Sequence, residues 1–335
     1  MELIGTSIIE RAGENGYPFY RIPGIVVSAA GTILVCYEAR HGSDWSVIDL
    51  YARRFEDGGK TWEDRIPLLS GANKNTVNNP VMIADGKILH CLCLENYKRL
   101  FYLRSADDGR TWTPPREITH ALDARYADYP WTCAAVGPGH GIKTGKGRLL
   151  APVWLASNPA EITRHQPSRV STLYSDDGGE TWSLGEVFSP AGSVNPNEAC
   201  LAELSDGRIL MNIRTMRPAD QPRTQPHFRH MAISASGIGD WLETWEERQL
   251  PDPVCAGGMC AFPGGILFTN CASYISRSNQ TLRKSADDGK TWSESCLYNP
   301  LGGYSDCAYN PYTKTAFIAH EYDAETEIRV SEIRL

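Results

Sequence analysis

ADGKILHCLCLEN, residues 84–96, is a tight turn followed by a hydrophobic strand, and the same unit recurs along the chain. It returns as AAGTILVCYEAR at 29–40, TGKGRLLAPVWLA at 144–156, SDGRILMNIRT at 205–215, PGGILFTNCAS at 263–273 and NPYTKTAFIAHEY at 310–322. The turns centre on Gly31, Gly86, Gly147, Gly207, Gly264 and Lys314, in steps of 55, 61, 60, 57 and 50 residues. Six units in 335 residues leave about 56 residues each, room for four short strands. Strand, polar turn, strand is the hairpin signature, and self-similarity at this period marks a radial array of small sheets. The expected fold is all-β: a six-bladed β-propeller of four-stranded antiparallel blades.

A second repeat runs in phase with the first. SADDGRTW at 105–112, SDDGGETW at 175–182 and SADDGKTW at 285–292 share Ser-x-Asp-x-Gly-x-Thr-Trp. FEDGGKTW at 55–62 is a variant with Phe55 in place of Ser, and SASGIGDWLETW at 234–245 reads as a decayed copy. Asp and Gly suit a tight hairpin loop, and the Trp suits packing within the blade. These boxes are therefore read as turn-formers rather than as sites.

The sixth unit is short, with 21 residues after Lys314. The strand-like segment Glu2–Glu10 precedes the first unit. Pairing it with the sixth unit closes the ring and protects the sheet edges. No linker or low-complexity stretch interrupts the pattern, so residues 1–335 read as a single domain. Radial blades leave a funnel on the axis where side chains from all six units converge.

Composition narrows the function. A net charge of −7 argues against nucleic acid or an anionic membrane as partner. No apolar run approaches the ~20 residues of a membrane helix. The start, MELIGTSIIE, lacks the features of a signal peptide. The expected location is cytoplasmic if the chain is complete, and secreted or periplasmic if a leader has been removed. Of ten cysteines, Cys36, Cys91, Cys93 and Cys271 lie in apolar strands, where a free thiol acts as a small hydrophobe. None shows the paired spacing of a zinc site, and His140 has no second ligand at a diagnostic spacing. No metal and no cofactor are expected.

Tyr20-Arg21-Ile22-Pro23, taken with four boxes, resembles the sialidases, the retaining glycosidases that release terminal sialic acid. The resemblance covers nearly the whole chain and implies sialylated glycans or oligosaccharides as partners. It implies a carboxylate-binding triad of Arg21, Arg214 in NIRT and Arg277 in SRSNQTLRKS. The physics fits, because guanidinium forks bind a carboxylate bidentately and stay charged. Taken singly, each arginine reads equally as a surface ion pair.

The resemblance further implies Tyr304, in GGYSD, as nucleophile and Glu198, in NPNEACLAEL, as its base. A phenol of pKa about 10 is a poor nucleophile until a carboxylate takes its proton. A neutral phenol also escapes the repulsion that an anionic nucleophile would meet at a carbon bearing a carboxylate. Asp44, in ARHGSDWSVID, matches the general acid/base on a loop after Arg40. Its local competitor Asp49 lies within the strand VIDLYARR. Arg40 matches a further substrate-binding arginine. Trp45 is a candidate wall for the sugar, while Tyr129 and Trp131 read equally as walls or as blade packing.

The same residues admit two other readings. One keeps the mechanism and changes the sugar to another 2-keto-3-deoxy acid such as Kdn or Kdo. The other is a non-catalytic glycan-binding propeller, which loss of Tyr304, Glu198 or Asp44 would have favoured and which Arg21 and Tyr304 standing far apart would reopen. Linkage preference, hydrolysis against transfer and oligomeric state have no signal in the residues.

Overall fold

The computed structural model describes residues 1–56, 61–323 and 325–335. Six antiparallel sheets stand in a ring, one for each repeat, forming the six-bladed propeller. Going outward, the first blade runs Phe19–Val27, Ile33–Arg40, Ile48–Phe55 and Ile66–Leu69. The fourth and fifth follow the same plan over 199–251 and 258–301. In the sixth, Ser305–Asn310, Thr315–Tyr322 and Glu327–Arg334 are completed by Glu2–Arg11, so the N-terminal strand closes the ring as expected.

The second and third blades depart from four strands. Gly139–His140 adds in parallel to the inner edge of the second blade, and Ile142–Lys143 pairs within the third. Both come from the glycine-rich segment 137–147, which runs close to the axis. A Cβ on Gly24 would lie 2.5 Å from the Gly139 carbonyl oxygen, so only glycine lets the two backbones pass there.

The runs of unbroken hydrophobicity follow from this layout. Every residue of Ile33–Arg40 and of Leu149–Ala156 is buried, because each blade packs against a neighbour on both faces. With a side-chain period of two, successive residues feed opposite interfaces. Cys36 joins the core between the first and second blades, whereas Val35 and Tyr37 join the core between the first and sixth. Cys91 and Cys93, two residues apart, both face the core between the first and second blades, Cys200 and Cys307 lie in other cores between blades, and all ten cysteines are free thiols.

The boxes form hairpin loops from the third strand to the fourth. In SADDGRTW, Ser105 Oγ accepts the Gly109 N–H at 2.8 Å, and Asp107 accepts the Thr111 N–H at 2.9 Å. Corresponding bonds join Ser175 to Gly179 and Asp177 to Thr181, and Ser285 to Gly289 and Asp287 to Thr291. Trp112, Trp182 and Trp292 pack into cores between blades. The decayed copy keeps the serine and the tryptophan: Ser234 Oγ accepts the Gly237 N–H at 3.0 Å, and Trp241 is buried in a core between blades. Of the variant FEDGGKTW, residues 57–60 lie outside the described residues.

Candidate active site

Strand direction alternates within each blade, so first strands begin, and second strands end, on the same face of the ring. Arg21 lies near the start of a first strand, while Glu198 and Tyr304 immediately precede two others. Arg40 and Glu321 lie at or near the ends of second strands, and Arg214 directly follows one. Arg21, Arg40, Glu198, Arg214 and Tyr304, from blades far apart in sequence, thereby line one cavity of about 290 Å³, with Glu321 behind them.

At its base the Tyr304 hydroxyl donates to Glu198 Oε1 at 2.6 Å and accepts from Arg214 Nη1 at 2.8 Å. Arg214 is also ion-paired with the other Glu198 oxygen. The phenol is 7% exposed. Burial raises its pKa, and the Glu198 charge adds to that, against the lowering effect of Arg214 and Arg277. The resting phenol is therefore neutral, and its proton already points at a carboxylate. The guanidinium carbons of Arg21 and Arg277 stand 5.0 Å and 5.2 Å from the Tyr304 ring centre. Arg21 and Tyr304 are thus not far apart, so the separation that would reopen the reading as a merely glycan-binding propeller is not found.

Glu321, fully buried, ties this group together. One oxygen accepts Arg21 Nε and the Ile22 N–H, both at 3.1 Å. The other accepts the Tyr304 N–H at 2.9 Å. Burial opposes its charge, but Arg21 and the backbone donors hold its pKa below the ordinary carboxylate range. A Cβ on Gly303 would lie 2.6 Å from Glu321 Cβ, which accounts for glycine before the tyrosine. Glu325 takes a second contact to Arg21 Nε at 2.9 Å. The sequence reading missed Glu321. Its signal was positional: it occupies the end of its unit's hydrophobic strand, as Arg40 and Arg214 do in theirs.

Also lining the cavity, Arg40 donates from Nη1 to Asp44 Oδ1 at 2.6 Å and from Nε to Glu38 Oε2 at 2.5 Å. Glu38 also accepts the Asn79 N–H at 2.7 Å, which joins the first blade to the second. Burial alone would raise the Asp44 pKa; the charge and hydrogen bond of Arg40 bring it below the ordinary value. Asp49, the competitor, is committed elsewhere. It accepts from Tyr17 Oη, Ser70 Oγ and the Gly71 N–H within 2.8 Å, away from the cavity.

For Tyr129 and Trp131 the structure selects blade packing, and for Trp45 the wall expectation needs revision. Tyr129 and Trp131 lie in the core between the second and third blades and line no part of the cavity. Trp45 does not line it either: the ring packs on Tyr97 and His165, which do, at 4.7 Å and 6.0 Å. The wall itself is Tyr97, Trp154, His165 and Gln166, with Asn79, Asn197 and Met216 beside them. Trp154 and Asn79 lie within strands and the others on connecting segments, so they share no local pattern by which periodicity could single them out. His140 pairs with Asp306 at 2.9 Å within the fold. Among the described residues no cluster of three His, Cys, Asp or Glu could hold a metal ion.

The arrangement thus offers a set of guanidiniums suited to a carboxylate, a neutral phenol hydrogen-bonded to a carboxylate, and a further carboxyl lining the same cavity. Residues 31–309 match the family model described as BNR repeat-like domain. The chain is 27% identical to a sialidase of Bacteroides fragilis over 326 residues, covering 85% of this chain and 56% of the relative. It is 29% identical to a sialidase of Micromonospora viridifaciens over 327 residues, covering 86% of this chain and 47% of the relative. It therefore spans about half the length of these curated relatives. Among solved structures, Hadza microbial sialidase Hz136 superposes with a TM-score of 0.81 at 25% identity, over 97% of this chain and 68% of that one.

Proposed function

We propose, for a chain that belongs to the sialidase family, the retaining hydrolysis of terminal sialic acid from glycoconjugates through a tyrosyl-enzyme intermediate. The observation that carries this reading is the 2.6 Å hydrogen bond from Tyr304 Oη to Glu198 in the midst of Arg21, Arg214 and Arg277. The arginines hold the substrate carboxylate and orient the anomeric carbon above Tyr304. Asp44 protonates the glycosidic oxygen as Tyr304 bonds to the anomeric carbon and passes its proton to Glu198. Asp44, now ionised, takes a proton from water as the water oxygen bonds to the anomeric carbon; the bond from that carbon to Tyr304 Oη breaks, and Glu198 returns the proton that restores the phenol. Sialidases with a tyrosine nucleophile depart from the two-carboxylate scheme of most glycosidases.

Product stereochemistry tests this directly. Proton NMR of the first-formed sugar is expected to show the substrate's anomer, and an inverted anomer would overturn the double displacement. The arginines read a carboxylate on the anomeric carbon, which Kdn and Kdo share. A panel of Neu5Ac, Kdn and Kdo glycosides compared by kcat/KM is expected to rank Neu5Ac first.

A further inference from the structure

We propose that Trp45 is the platform for the leaving sugar, not a wall of the sialic acid pocket. This rests on the reading of Asp44 as the general acid. An acid that protonates the glycosidic oxygen stands within hydrogen-bond reach of it. The leaving sugar is joined to that same oxygen, so its first ring lies beside Asp44 on the side facing away from Tyr304.

Asp44 marks that edge of the cavity. Its side chain is 47% exposed although its partner Arg40 is buried. Trp45 is the next residue, is absent from the cavity lining, and is 41% exposed. Tyr97 and His165 support it from the cavity side, leaving part of the indole open to solvent next to the acid. The loop fixes this placement. Thr76 Oγ1 donates to the Asp44 carbonyl at 3.0 Å, and the Ser46 N–H donates to the Ser43 carbonyl at 2.9 Å, so the backbone is held on both sides of Trp45. An exposed indole supplies a flat apolar face for the C–H face of a pyranose. The expected ligand is the neutral hexose that carries the sialic acid.

The test compares two substrates with different leaving groups. Sialyl-lactose leaves a sugar, whereas α-sialosyl fluoride leaves an ion that has no ring to stack. For Trp45→Ala, the ratio of kcat/KM on sialyl-lactose to that on the fluoride is expected to fall by about tenfold, with Trp45→Phe recovering most of the loss. A ratio equal to the wild-type value would overturn the proposal. So would parallel losses on both substrates, which would mean that Trp45 only holds the loop. Wild-type turnover of the fluoride tests the sialidase reading separately: with no turnover of either substrate it is that reading which fails.

Discussion

Glu321 binds the backbone N–H of Tyr304 through one carboxylate oxygen and the guanidinium of Arg21 through the other, so one buried residue ties the positions of Tyr304 and Arg21 together. Glu321→Gln keeps the volume but removes the charge, and it turns one acceptor into a donor facing N–H groups. Breaking a buried pair in this way costs about 3–5 kcal/mol. We expect a Tm lowered by several degrees together with a fall in kcat, read by thermal denaturation and steady-state kinetics. A variant as stable and active as wild type would show that Glu321 does not position the site.

Tyr304→Phe removes only an oxygen. The Arg214–Glu198 ion pair remains to fill the space. Stability should change little, while kcat/KM on an aryl sialoside should fall by at least about 100-fold, the scale expected on losing a nucleophile. Full activity would eliminate the tyrosine from the mechanism.

The pH dependence follows from Asp44. Arg40 holds its pKa low, so in the empty site the acid is ionised at neutral pH and only its protonated fraction can donate. kcat/KM should therefore fall as pH rises, with its midpoint on the acid side. Arg40→Gln removes the lowering influence and should move that midpoint upward, whatever it does to the absolute rate. The pair's contribution to stability has the sign of a depressed carboxylate. It is present above the ordinary aspartate pKa of about 3.9 and is lost as pH falls through the lower folded value. An unmoved midpoint in pH–rate profiles of the two proteins would sink the Asp44 assignment.

The boxes make the opposite kind of prediction. Ser175→Ala deprives the buried Gly179 N–H of its acceptor. An unsatisfied buried donor costs about 1–3 kcal/mol. Denaturant unfolding should show that loss, with kcat/KM at the wild-type value under native conditions. Lost activity in a protein still folded would contradict a purely structural role.

The blades were legible because their signals are local. A turn such as ADGK is followed within a few residues by a strand buried on both faces, so each unit declares itself without reference to the rest. The ring closure by residues 2–11 was legible because the sixth unit is visibly short. The extra strands 139–140 and 142–143 were not, since two-residue pairings leave no period to read. Within the site, Tyr304, Glu198, Asp44 and the arginines came from family motifs, and the structure brings them within contact of one another or of shared partners. Glu321 was hidden because its meaning lies in what the ring folds against it. Tyr129 and Trp131 show the converse, as an aromatic near a motif reads alike whether it faces a cavity or a neighbouring blade.

The strand at 2–11, described above as completing the last blade, has a consequence for when the site exists. Arg21 belongs to the first blade, whereas Tyr304 and Glu321 belong to the last, so the line along which the ring is sewn shut runs through the site itself. A chain with most blades formed and that join unsealed would have its cores and its turns, but Arg21 would stand apart from Tyr304. Activity therefore requires that join to be sealed, and turnover measured during refolding should not precede the pairing of residues 2–11 with 327–334.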